Sequence, residues 1–212
     1  MKRRIASLHL GLAFLGALSG CASTTVESTG QALPSPLCGP TSVTTPATTS
    51  VAVLWGPSWR PDQKEPPLRE AAALRGIQQF FASQRCLTDV ALHRIDIPAQ
   101  GELPDDALLA TAKARTPRAD KVILIVVREL GPKLAIGLPT LVEGGTEVVI
   151  EVRVLDARHP VSEAQVRTHW QKGGPFYIQG VRTLDQDMQA ALSATLAAPA
   201  APAAPAATPQ RP

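Results

Sequence analysis

Apolar and polar residues alternate in two stretches of the carboxyl-terminal half of the chain. In the first, 147–154, the apolar positions are Val148, Ile150, Val152 and Val154. In the second, 166–171, Val166, Thr168 and Trp170 alternate with Arg167, His169 and Gln171. A period of two is typical of strands with one buried face, and turn residues lie between the two runs, from Asp156 to Pro160. The pattern predicts an antiparallel hairpin with one wet face, which carries Glu147, Glu151 and Arg153 on its first strand.

Other elements follow from apolar runs and helical stripes. Strands are predicted at Val51–Trp55, at Thr88–Ile95 and at Val122–Val127, whose six consecutive aliphatic residues indicate burial on both faces. Helices are predicted over 68–85, with a stripe of Ala71, Leu74, Ile77 and Phe81, and over 104–115, where Asp105 and Asp106 suit the positive end of the helix dipole. A last helix begins at Thr183-Leu184-Asp185-Gln186, which matches a capping box.

These elements predict one α/β (α+β) domain over 51–196, with a mixed sheet of about five strands and three helices in the order β-α-β-α-β-β-β-α. Residues 21–50 are rich in Ser, Thr and Pro and are expected to form a tether, while 197–212 is an Ala/Pro-rich tail expected to be disordered. Pro199, Pro202 and Pro205 have a PxxP spacing, although the flanking charges and aromatics that give specificity are missing.

The element order, and a valine-rich strand followed by Asp156, a turn and another strand, resemble the TolB N-terminal domain. They also resemble outer-membrane lipoproteins that activate peptidoglycan synthases. The resemblance covers only the domain and implies the fold more than a function. Activation of a peptidoglycan synthase is the specific role that it suggests.

The amino-terminal segment 1–20 has the features of an export signal. Lys2, Arg3 and Arg4 precede an apolar core, Ile5–Leu18, which would span only about 21 Å as a helix against a hydrocarbon thickness of about 30 Å. Leu18-Ser19-Gly20-Cys21 resembles the lipobox of bacterial lipoproteins, which implies cleavage before Cys21 and its acylation. An ordinary secretory signal is the alternative. In the resemblance, Ala22 after the cysteine implies sorting to the outer membrane, facing the periplasm.

Removal of the signal changes how the charge is interpreted. The net charge of +3 comes from the three basic residues of the signal, and the mature chain has 18 basic and 18 acidic residues. A neutral chain has no global field to attract a phosphate backbone, so nucleic acid is not expected as a partner. With Cys21 acylated, Cys38 and Cys86 remain, and an oxidising periplasm would allow them to pair; two buried thiols are the alternative.

No catalytic or metal-binding pattern is found, so neither an enzyme nor a cofactor or metal is expected. Ser58 lies in a Gly-Pro-Ser-Trp-Arg sequence that lacks the second glycine of a nucleophile elbow, and His93, His159 and His169 lack metal-ligand spacing. Aromatic residues beside predicted loops are candidate anchors for a protein partner: Trp55, Trp59, Phe176 and Tyr177. Packing onto the core is their alternative role.

The sequence therefore predicts a non-catalytic outer-membrane lipoprotein, anchored in the membrane by lipid, that binds a protein partner in envelope assembly or maintenance. The alternative is a periplasmic enzyme or small-ligand binder whose site is assembled from distant residues, for example around His93 and Asp96.

Overall fold

The computed structural model describes residues 22–34, 36–38, 49–98, 103–137, 141–159, 161–175, 177 and 179–197. The predicted signal 1–20, the predicted lipidation site Cys21, Phe176 and the tail from residue 198 onward lie outside the described residues. The strands are β1 Ser23–Gln31, β2 Thr49–Pro57, β3 Leu87–Arg94, β4 Lys121–Gly137, β5 Leu141–Asp156 and β6 Ser162–Pro175. The helices are α1 Pro66–Ser83, α2 Asp105–Arg115 and α3 Leu184–Leu192.

The six strands form one mixed sheet in the order β1-β6-β5-β4-β2-β3. β2 is parallel to both β3 and β4, whereas β4, β5, β6 and β1 are successively antiparallel. The predicted α/β class and the β5–β6 hairpin are confirmed. The predicted number and order of elements are wrong in one respect, because β1 adds a sixth strand before the others.

β1 was not predicted because it carries no apolar pattern. All nine of its residues are exposed, and its one large apolar side chain, Val26, is 45% exposed. The strand is held by pairing with β6, from Ser23 opposite Gly173 to Gln31 opposite Gln165. It occupies residues that the composition assigns to a tether.

The two faces of the sheet are covered unequally. α1 and α3 pack on one face, where every strand except β1 contributes to a continuous apolar core. On the other face α2 buries Leu108 and Ala112 against β2 and β4, around Ala52, Leu54 and Val122. β2 and β4 are therefore buried on both sides, as the apolar run of β4 predicts. The half of this face formed by β5, β6 and β1 has no helix over it among the described residues.

Two local sequence patterns do not form the structures that are typical of them. Glycine pairs such as 144–145 and 173–174 are typical of turns or bulges, but here they pair with each other inside β5 and β6. The capping box does not form, because Thr183 makes no side-chain cap to α3; its hydroxyl instead lies 3.4 Å from an Asp187 carboxylate oxygen.

Cys38 and Cys86 lie at disulfide distance, with 5.7 Å between their Cα atoms, which ties the segment after β1 to the start of β3.

Candidate functional site

A groove of about 470 Å³ lies on the uncovered half of the sheet, and we call it the arginine groove. Its floor is formed by β4, β5 and β6, one side by β1, and the other by the segments flanking residues 99–102. The apolar side chains that line it are Ile97, Pro98, Leu103, Leu124 and Val126. The charged ones are Arg128, Glu151, Arg153 and Arg167.

Alternation along the hairpin strands places the charged residues on this face. On β5, Ile150 and Val152 point into the core and are at most 1% exposed, so Glu151 and Arg153 point to the groove. On β6, Val166 and Thr168 are buried, which puts Arg167 on the groove side directly opposite Glu151. The predicted wet face of the hairpin is thus the floor of the groove.

A β-bulge supplies the first arginine. The register of β4 against β5 shifts between Val127, opposite Ile150, and Glu129, opposite Val149, so that Arg128 is the extra residue. A bulge redirects side chains and often lies beside a functional site. Here it gives the groove a cation on β4, and the Arg128 Nη1 donates to the hydroxyl of Ser58 over 2.6 Å.

Glu151 bridges two of the arginines. Its Oε2 lies 2.9 Å from Arg128 Nη2 and its Oε1 lies 3.1 Å from Arg167 Nη1. The side chains of Glu151, Arg128 and Arg167 are 31%, 34% and 58% exposed, respectively. The Glu151 carboxylate is thus held between two guanidiniums, whose donors match carboxylate geometry.

Arg153 is the most buried cation of the groove, with its side chain 11% exposed. Its Nη1 donates to Asp105 Oδ1 over 2.8 Å and to the backbone carbonyl of Leu103 over 2.7 Å. Asp105 therefore lies at the positive end of the α2 dipole and also pairs with Arg153. This contact connects α2 to β5 and fixes one wall of the groove.

A second polar cluster closes the loop between β2 and α1. Glu129 accepts a hydrogen bond from Gln63 over 3.0 Å and pairs with Arg60 at 2.9 Å and with Arg69 at 3.5 Å. Arg69 also donates to the backbone carbonyls of Lys64, over 2.6 Å, and of Leu130. These contacts connect the loop between β2 and α1 to β4, so the cluster acts as a structural tie.

Three of the four aromatic anchors predicted from the sequence lie in the described residues, and their surroundings differ. Trp55 is 2% exposed and belongs to the core, so it is not accessible to a partner in this fold. Trp59 is partly buried and packs against the same core. Tyr177 donates to Gln179 over 2.7 Å. Trp59 follows β2 and Tyr177 follows β6, and β4 and β5 lie between those strands.

The histidine site considered as an alternative is not assembled around an acid. The ring of His93 shares a hydrogen bond with the Thr116 hydroxyl over 2.9 Å, and burial, with Arg115 nearby, lowers the pKa of His93. Asp96 pairs instead with Arg94 at 3.0 Å and is almost fully exposed. Within the part of the chain that the structure describes, no three His, Cys, Asp or Glu side chains gather as a metal site.

None of the described helices is both long and apolar enough to cross a bilayer. No protein-family model matches this sequence, and neither does any curated protein.

Solved structures with a similar chain path include the PelC dodecamer from Paraburkholderia phytofirmans, with 15% identity and a TM-score of 0.42 over 82% of this chain and 98% of that one. Lipoprotein GNA1162 from Neisseria meningitidis has 10% identity and a TM-score of 0.38 over 70% of this chain and 99% of that one. Protein XCC0632 from Xanthomonas campestris has 14% identity and a TM-score of 0.38 over 77% of this chain and 87% of that one. At this distance these likenesses carry no argument about function, which rests on the groove itself.

Proposed function

We propose that this chain is a lipid-anchored envelope protein without catalytic activity, and that it binds an acidic segment of a protein partner in the arginine groove. The observation that carries the proposal is Glu151, held between Arg128 and Arg167 in an open groove. A carboxylate from a partner has the same chemistry as the Glu151 side chain and would bind the same guanidiniums.

The composition of the groove supports binding over chemistry. Three arginines and one glutamate line it beside an apolar wall, and the glutamate, Glu151, is held between two of the arginines. A segment with a carboxylate next to apolar side chains would satisfy both parts of this surface. The anchor at Cys21 and the outer membrane as its location belong to the same proposal and rest on the lipobox.

A small anionic ligand is the second candidate. The volume of about 470 Å³ lies within the range of small-molecule sites, roughly 300–1,000 Å³. The two candidates differ in what a crosslinker at the rim of the groove would capture.

The test places a photoreactive p-benzoylphenylalanine at Thr29, an exposed residue of the rim, in intact cells. We expect a protein adduct that is lost in Arg167→Glu. The matched control is Arg75→Glu, because Arg75 is 54% exposed, close to the 58% of Arg167, but lies on α1 across the sheet. An adduct that survives Arg167→Glu, or that both substitutions abolish equally, contradicts the proposal. Absence of any protein adduct, together with a rise in melting temperature on addition of a small dicarboxylate, favours the small-ligand function.

A further inference from the structure

The end of the sheet next to the predicted anchor carries two lysines and an exposed leucine. Ser23, Gly173, Gly145 and Lys133 are opposite one another in β1, β6, β5 and β4, so they form one row across four strands. We call this row, with Leu134 and Lys172, the basal edge. Lys133 has half of its side chain exposed, and Leu134 is 62% exposed.

The chain leaves little distance between this edge and Cys21. Cys21 lies only two residues before Ser23, which an extended chain spans in about 7 Å. β1 is antiparallel to β4 through two intermediate strands, so the chain before Ser23 leaves β1 at the same end of the sheet at which β4 continues past Lys133. β4 goes on for four more residues to Gly137, which is about 13 Å at strand rise.

A recess of about 300 Å³ lies at the basal edge and suits a phosphate group. It is lined by Lys133 and Ser23 and by glycines that leave the backbone accessible, and the Lys133 Nζ lies 3.9 Å from Glu147 Oε2. Lysine ammonium groups bind phosphates as point charges. Exposed apolar side chains next to basic ones are typical of surfaces that lie at the interface of an anionic bilayer.

We infer that the basal edge docks on the bilayer that holds the acyl chains of Cys21, with Leu134 in the interface and with Lys133 at headgroup phosphates of anionic phospholipid. This inference rests on the proposed function, because the anchor brings the edge to the membrane. Docking would give the domain a fixed orientation on the membrane, whereas a long tether would leave the orientation free.

The test uses the lipidated chain in vesicles of phosphatidylethanolamine and phosphatidylglycerol, with p-benzoylphenylalanine at position 134. The matched control is the same group at Val161, which is 60% exposed and lies in the β5–β6 loop at the opposite end of the sheet. We expect a phospholipid adduct at position 134 and none at position 161. Lys133→Gln should reduce the adduct several-fold, whereas Lys113→Gln, at an exposed position on α2, should leave it unchanged.

The mass of the amino-terminal peptide distinguishes failure of the docking inference from failure of the proposed anchor. An acylated Cys21 with no adduct at 134, with equal adducts at 134 and 161, or with a protein adduct at 134 overturns the inference and leaves the anchor standing. An amino-terminal peptide without acyl chains overturns the anchor and the inference together.

Discussion

Glu151 shows how single residues set the character of the arginine groove. It neutralises part of the charge of Arg128 and Arg167, and all three side chains remain in contact with solvent. Ion pairs of this exposure contribute roughly 0–1 kcal/mol to stability, so the group is better explained by recognition than by folding.

Glu151→Gln should therefore separate binding from stability. We expect the free energy of unfolding to fall by less than about 1 kcal/mol, measured by urea denaturation. The photoadduct at Thr29 should increase, because the groove gains one net positive charge. Glu163→Gln is the control, since Glu163 pairs with Lys121, is 26% exposed and lies outside the groove. Loss of the adduct in Glu151→Gln alone would instead assign Glu151 a direct contact with a basic partner group.

The carboxyl of Asp187 is buried against the core. Its contribution to the free energy of unfolding should vary with pH in the direction opposite to that of most acidic side chains. Burial raises its pKa, while the Thr146 and Thr183 hydroxyls and the charge of Lys172 partly offset the rise. The folded state thus holds this proton more tightly than the unfolded state, so the contribution of Asp187 is favourable below its unfolded pKa and is lost as pH rises through its folded pKa.

Asp187→Asn should gain stability relative to the native chain as the pH is raised from below 4 to neutrality, when urea midpoints are compared at each pH. Asp120→Asn is the control of opposite sign. The backbone N–H of Ser50, with Arg158, lowers the pKa of Asp120, so its contribution is present above the unfolded pKa and is lost as the pH falls through the folded pKa. A stability difference for Asp187→Asn that does not vary with pH would contradict the assignment.

Among the elements, α1 and α3 lie very close together at Gly76. A Cβ at this position would lie 2.5 Å from the backbone oxygen of Asp185 and 2.6 Å from the Met188 Cβ. Helix propensity alone favours alanine over glycine by about 1 kcal/mol, but the close approach outweighs this preference.

Gly76→Ala should therefore destabilise the protein, by about 1–3 kcal/mol as expected for overpacking, measured as a shift of the urea midpoint. Gly180→Ala is the control, because a Cβ there meets nothing within 4 Å and the backbone is extended, so little change is expected. A stabilised Gly76→Ala variant would show that the two helices can move apart at no cost.

The elements also show what the sequence could and could not reveal. The β5–β6 hairpin, the buried run of β4 and the acidic start of α2 follow from periodicity and charge, and each is confirmed. β1 could not be found, because its stability comes from pairing with β6 and not from burial of its own side chains. The hairpin sequence places Glu151 and Arg167 on a wet face. No pattern in the sequence shows the bulge at Arg128, and none shows that α2 covers β2 and β4 but leaves β5 and β6 uncovered.

At the scale of the whole molecule, β1 connects the proposed anchor to the arginine groove. Ser23 lies at the basal edge and Thr29 at the groove, six residues further along the strand, which is about 20 Å. If Cys21 is acylated, a partner that reaches the groove must therefore lie within a few tens of ångströms of the same membrane. This geometry favours an envelope protein held at that membrane over one embedded in the opposite membrane.

The proposed attachment at Cys21 underlies both the orientation of the groove and the docking of the basal edge, and the mass of the amino-terminal peptide tests it most directly. For protein purified from membranes, the account predicts a first residue at Cys21 that carries acyl chains, and a Cys21→Ser form that no longer sediments with the outer membrane. A mature chain that starts elsewhere or lacks acyl chains, or a Cys21→Ser form that still sediments with the outer membrane, would contradict it.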